Sequence, residues 1–221
     1  MRFSTNRWAL FATIIVVGSI WGLFEMTLGG FLHAVHFPQK GAIMGGLAIS
    51  FMAIFVTITR KPSLVPILGV IAASFKLFDA IIFRVPLLSP YVVNPATAII
   101  MEALAFSAVT VILKAAMEKH LFARASAGIL AGFLGYASYA VFASMLGWGK
   151  WPTLDFMAKL KLILTSAAPI GIAGAVMLVV GFYVGTATLP KLSTFREAHP
   201  KLYYSASLAL VLLCWVIPIV L

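Results

Sequence analysis

The chain has 221 residues, 62% of them hydrophobic and 10% charged, with a mean hydropathy of +1.08 and a formal net charge of +10. Soluble domains are about half apolar and a quarter charged, and disordered chains are poor in hydrophobic residues, so neither class fits. The basic excess, 16 Lys and Arg against 6 Asp and Glu, matches the flanks of membrane spans and carries no expectation of a nucleic-acid partner.

A membrane-crossing helix needs about 20 mostly apolar residues. Seven runs qualify: Trp8–Leu28, Gly41–Thr59, Leu64–Phe83, Pro95–Ala116, Ala125–Leu146, Leu160–Thr186 and Tyr203–Leu221. The first follows Arg2 and Arg7 but is too long for a signal peptide, and no small-x-small cleavage site follows it. It is read as a retained helix. A polar stretch, Lys191–Lys201, sets the seventh run apart. The expectation is an all-α polytopic transmembrane helical bundle in one integral membrane domain, 1–221. It has a six-helix core over about residues 8–186 and an additional C-terminal helix over about 203–221. Cys214 lies in that last run and is the one cysteine, which excludes an intrachain disulfide and a cysteine-based metal cluster.

Orientation follows from Lys and Arg in short loops. With the N-terminus in the cytoplasm, Arg2, Arg7, Arg60, Lys61, Lys114, Lys119, Arg124, Lys191, Arg196 and Lys201 lie inside. Lys40, Arg84, Lys150, Lys159 and Lys161 lie outside. Ten against five places the N-terminus in the cytoplasm of a bacterial-type inner membrane and, after seven crossings, the C-terminus outside. The stretch 42–47 in the second run echoes 128–133 in the fifth. These runs point in opposite directions, so an inverted repeat is one explanation; recurrence of small-residue packing motifs is the other.

Four ionisable residues fall inside runs: Glu25, Lys76, Asp79 and Glu102. Each is costly in lipid unless paired or wet. At about 1.5 Å per residue, Glu25 lies roughly 26 Å from the inner surface, Asp79 roughly 22 Å and Lys76 roughly 18 Å, with Glu102 roughly 10 Å below the outer surface. All four then occupy the outer half of a hydrocarbon core about 30 Å thick, as a pocket open to the outside requires. Gly18, Gly22, Glu25 and Gly29 share one helical stripe, and small residues face protein, so Glu25 is expected to point inward. Lys76 and Asp79 are three apart on one face, and a purely structural ion pair is the competing reading. Glu25 and Glu102 then await protonation or a cationic ligand.

The segment Gly29–Gly41 is apolar for a loop and bracketed by glycines. It is expected to act as a lid, with Phe31 and Leu32 closing over a ligand. His33 and His36 within it are metal-ligand candidates together with Glu25, although a zinc site needs a third ligand and outer support; interfacial histidines are the alternative. Trp148, in the loop Gly147–Pro152, either anchors at the interface or closes over a flat ring. Tyr136 and Tyr139 reach the same level, and their hydroxyls need partners. The substrate-binding set is therefore Glu25, Lys76, Asp79, Glu102, Tyr136, Tyr139 and Trp148. No P-loop, H-E-x-x-H or G-x-S-x-G motif occurs, so no enzyme activity and no cofactor are expected.

A six-helix core, an inside N-terminus, an outward polar pocket and a glycine-rich segment after the first helix resemble the substrate-binding S-components of energy-coupling factor importers. The resemblance covers about Trp8 to Thr186. It implies high-affinity capture of a vitamin-like or metal-containing micronutrient, with a membrane coupling subunit and ATPases as partners beside the lipid bilayer. Many such proteins carry an A-x-x-x-A docking pattern on the first helix; here Ala9-x-x-x-Thr13 stands in its place. The metal-binding branch begins Met-His, whereas this chain begins Met1-Arg2. The acidic balance of the intramembrane residues favours a cationic substrate. A proton- or cation-coupled secondary transporter and a non-catalytic membrane assembly subunit are the alternatives.

The orientation is testable by cysteine labelling in a Cys214→Ala background. A membrane-impermeant maleimide is expected to label position 40 in intact cells, and position 61 only after permeabilisation. Labelling of 61 without 40 would reverse the topology.

Overall fold

The computed structural model describes residues 6–220. Met1, Arg2 and Leu221, which enter the N-terminal comparison, the charge count and the last run, lie outside the described residues. The elements are α1 (Arg7–Ala34), α2 (Lys40–Thr59), a 3-10 turn (Pro62–Leu64), α3 (Val65–Ser74), α4 (Lys76–Ile82), α5 (Pro90–Lys119), α6 (Leu121–Met145), a second 3-10 turn (Trp151–Thr153), α7 (Phe156–Ala198) and α8 (Pro200–Val220). Among the described residues there is no strand. Among the described residues, seven helical segments are long and apolar enough to cross a membrane, with Pro62–Ile82 counting as one. The chain is an all-α polytopic helical bundle, because a backbone in lipid must satisfy its hydrogen bonds within each segment.

Six segments close a ring. In order of contact they are α1, α3, α5, α6, α7, α2 and back to α1. α8 stands outside the ring, against α1 and a short stretch of α7, which makes it the addition to a six-helix core. The largest interfaces are α2–α7 and α6–α7. Glycines make them close. A Cβ on Gly128 would collide with the Gly174 carbonyl oxygen, and one on Gly132 would sit 2.9 Å from the Ile170 carbonyl oxygen. Gly45 and Gly46 of α2 meet Ile170 and Ala173 from the other side. The echo between 42–47 and 128–133 thus has a shared cause: both stretches clamp α7.

One half of the bundle is solid. Trp21, Ile49, Met52, Phe55, Leu68, Phe106 and Leu178 are buried in one apolar cluster. The other half, near the 35–39, 83–89 and 146–155 connectors, is hollow and holds the site described below.

Three expectations are corrected. The Gly29–Gly41 lid is not a loop. α1 continues through Gly29 and Gly30 to Ala34, α2 begins at Lys40, and only 35–39 connect them. Glycine inside a helix costs about 1 kcal/mol, which neighbouring packing easily offsets; Leu32 is buried, whereas Phe31 is exposed and does not line the cavity. The polar stretch Lys191–Lys201 is not a linker either. α7 carries on through Pro190 to Ala198, and only His199 separates it from α8. Proline restricts the residue before it and suits a first helical position, so the break falls at His199-Pro200. At 43 residues, α7 is about 65 Å long and projects well beyond a hydrocarbon core. Finally, the third segment is broken at Phe75, the junction of α3 and α4.

The α6–α7 contact yields a stability prediction. Gly128→Ala is expected to lower the thermal midpoint in detergent, at a cost of about 1–3 kcal/mol, because backbone atoms cannot yield. Gly30→Ala, with nothing within 4 Å of the added carbon, is expected to hold or raise it.

Candidate functional site

The hollow half encloses a cavity of about 500 Å³, within the usual range for small-molecule sites. Its deep wall includes Glu25, Ile99 and Glu102, and its rim includes the exposed His33, Phe83 and Tyr91. Six of the seven expected binding residues line it: Glu25, Lys76, Asp79, Glu102, Tyr136 and Tyr139.

The α1 stripe sets the first wall. Gly18 packs on Ile71 and Gly22 lies directly under the Phe75 ring, so the stripe faces α3 and α4. Glu25, one turn on, is 6% exposed. Its carboxylate Oε1 accepts the Trp21 indole N–H at 3.1 Å, and its backbone carbonyl accepts from Lys76 Nζ at 2.5 Å. Gly29 leaves room for that lysine: a Cβ there would stand 3.6 Å from Nζ.

The break at Phe75 sets the second wall. It begins α4 at Lys76 and places Lys76 and Asp79, each 5% exposed, on its inner face. Lys76 Nζ lies 3.5 Å from Asp79 Oδ2. Asp79 Oδ1 is buried and has no hydrogen-bond partner among the described residues. α8 supports this break from behind. Trp215 packs on Phe75 with the rings tilted, 4.7 Å between ring centres, and donates its indole N–H to Ser19 Oγ at 3.0 Å.

α5 sets the third wall. Asn94, Ala98 and Glu102, spaced by four, all line the cavity. The Asn94 side-chain oxygen is also buried without a partner among the described residues. Glu102 fits between two glycines: its Oε1 is 3.5 Å from the place of a Gly45 Cβ, and its Cγ is 3.0 Å from that of Gly135. At the rim, His33 packs edge-on against Tyr91 at 5.1 Å, and its Nδ1 lies 2.7 Å from Lys40 Nζ.

Two expected participants stand apart. Trp148 does not line the cavity; it packs edge-on against Phe142 at 5.9 Å. The indole that approaches the site is Trp151, buried 6.5 Å from the Tyr136 ring. His36 is exposed, adopts a left-handed φ of 51° and also lies off the lining. The helical turn that was to place it beside His33 ends before it. No group of three or more His, Cys, Asp or Glu side chains converges among the described residues, so the structure does not assemble the His33, His36 and Glu25 metal set.

Sequence reasoning missed Asn94, Tyr91, Gly45 and Gly135. The expected fourth run began at Pro95, which left Asn94 in a loop, although its spacing of eight from Glu102 was there to be read. No protein-family model, curated protein or solved structure matches this chain.

The Lys76–Asp79 pair gives a further prediction. Lys76→Met is expected to destabilise the protein by about 3–5 kcal/mol, because it leaves a buried carboxylate uncompensated. Adding Asp79→Asn to it should recover most of the loss. Unfolding of Lys76→Met, Asp79→Asn and the double variant in mixed micelles measures the coupling; simple additivity would show that the two residues act independently.

Proposed function

We propose that this chain is a membrane-embedded binding subunit for uptake of a small, cationic, vitamin-like solute. The observation that carries this reading is the cavity itself. Carboxyl groups from three separate segments, Glu25, Asp79 and Glu102, meet around one space of about 500 Å³. Ionisable groups inside membrane segments cluster at substrate and ion pathways. Aromatic and aliphatic walls with a few polar groups suit a small organic ligand.

The resemblance to S-components adds energisation by a coupling subunit and ATPases. Docking through the first helix must contend with α8. Ala9 is fully buried in a cluster with Ile58 and Tyr203, and Thr13 is buried beside it with its hydroxyl on the Ala9 carbonyl. A coupling partner therefore meets another face or displaces α8.

A cation-coupled secondary transporter is the second reading. The buried acidic residues of the cavity, Glu25 and Asp79, favour it, because intramembrane carboxyl groups mark ion and proton pathways. Uptake into proteoliposomes driven by an ion gradient alone supports this reading, and a requirement for ATP and partner proteins supports the first.

The test is mass spectrometry of small molecules retained after purification in mild detergent. Wild-type protein is expected to carry one cationic species. Glu102→Gln, which keeps the shape and removes the ionisable group, should reduce its affinity by about tenfold or more. A folded protein that retains no solute, and that no added solute stabilises, would end the binding-subunit reading.

A further inference from the structure

Accepting the cavity as a solute site, we infer that its ligand is an organic cation bearing N–H donors, anchored by Asp79 Oδ1 and by Asn94. Amidinium, guanidinium and aminoheterocyclic ions belong to this class; quaternary ammonium ions and bare metal ions do not.

A carboxylate only accepts hydrogen bonds. Asp79 is 5% exposed, borders the cavity, and leaves Oδ1 without a partner among the described residues. Its other oxygen is 3.5 Å from Lys76 Nζ, and that lysine makes its shorter contact with the Glu25 carbonyl, at 2.5 Å. The Asn94 side-chain oxygen on α5 is likewise unpartnered among the described residues. Pro95 has no N–H, so it cannot donate to the Tyr91 carbonyl one turn back, and both residues line the cavity. The lysines of the wall are already engaged, Lys76 as above and Lys40 with His33 at 2.7 Å. Asp79 Oδ1 and the Asn94 oxygen are thus two buried acceptors bordering the cavity with no partner among the described residues, and a buried acceptor left unpaired is costly. The ligand supplies the missing N–H groups.

Charge and shape narrow the class. Glu25, Asp79 and Glu102 oppose an anion. A bare metal ion lacks a converging set of three ligating side chains among the described residues. The rings of Phe83, Tyr91, Tyr136 and Tyr139 border the same space and offer faces to a flat ligand. Those rings would also attract a quaternary ammonium ion, but such an ion brings no donor to Asp79 Oδ1. Sites built to hydrogen-bond a ligand reject the analogue that lacks the group.

A matched pair of probes isolates the donors. Benzamidine and phenyltrimethylammonium share a ring and a positive charge, and only the first carries N–H groups. Isothermal titration of the full chain in nanodiscs is expected to show benzamidine binding about tenfold or more tighter. Asn94→Leu, and the Lys76→Met/Asp79→Leu double variant, which removes both carboxylate oxygens together with the lysine they would leave unpaired, should each erase most of that preference. Phenyltrimethylammonium binding as tightly as benzamidine, or variants that keep the full preference, would overturn the inference. A retained natural solute that lacks N–H groups also overturns it while leaving the proposed function standing. A chain that binds neither probe and retains no solute fails both.

Discussion

Lys76 is an ammonium group held 5% exposed among apolar helices, and much of the hollow half exists to satisfy it. Burial of an unpaired charge is prohibitive, so the lysine needs acceptors from at least two directions. It finds them in the Glu25 carbonyl and in Asp79. Both contacts depend on the break at Phe75, which starts α4 at the lysine. The break is held by packing: Phe75 lies over Gly22 on one side and against Trp215 on the other. A larger residue at position 22 would push the ring away and move the lysine with it. α8, outside the ring of six helices, thereby bears on the chemistry of the cavity without touching it.

The opposite arrangement governs α7. In lipid, helices gain little from hydrophobicity and associate through close contact of small residues. Gly128, Gly132, Gly45 and Gly46 bring α6 and α2 against α7 at near-backbone distance. That tight half gives the bundle its rigidity and lets the other half stay open. Glu102 uses the transition between the two, because Gly45 and Gly135 leave the space its side chain fills. The glycines that close the bundle and those that admit a carboxyl into it belong to the same helices.

Seen as a binding site, the cavity is asymmetric in its hydrogen bonding. Two of its buried oxygens, Asp79 Oδ1 and that of Asn94, have no partner among the described residues. A Lys76–Asp79 pair alone would account for one oxygen of Asp79; it leaves the second oxygen, Asn94 and Glu102 unexplained. The two readings proposed above differ in how transport would be energised. The recognition chemistry is common to both.

The helical class, the seven segments and the inward face of Glu25 were legible in the sequence, because hydropathy and helical spacing are local properties. So was the grouping of Glu25, Lys76, Asp79 and Glu102, since a shared depth can be counted along each helix. Helix ends were less legible. Gly29-Gly30 and Lys191–Lys201 look like breaks, but packing and helical continuity carried the chain through both, whereas Phe75, in the middle of an apolar run, is where the helix does break. Contacts across the bundle belonged to tertiary structure alone. No spacing reveals that Trp148 would turn toward Phe142 while Trp151 approached Tyr136, or that Asp79 would keep one oxygen unpaired. Those outcomes rest on which helices become neighbours, and that depends on how close their small residues allow them to come.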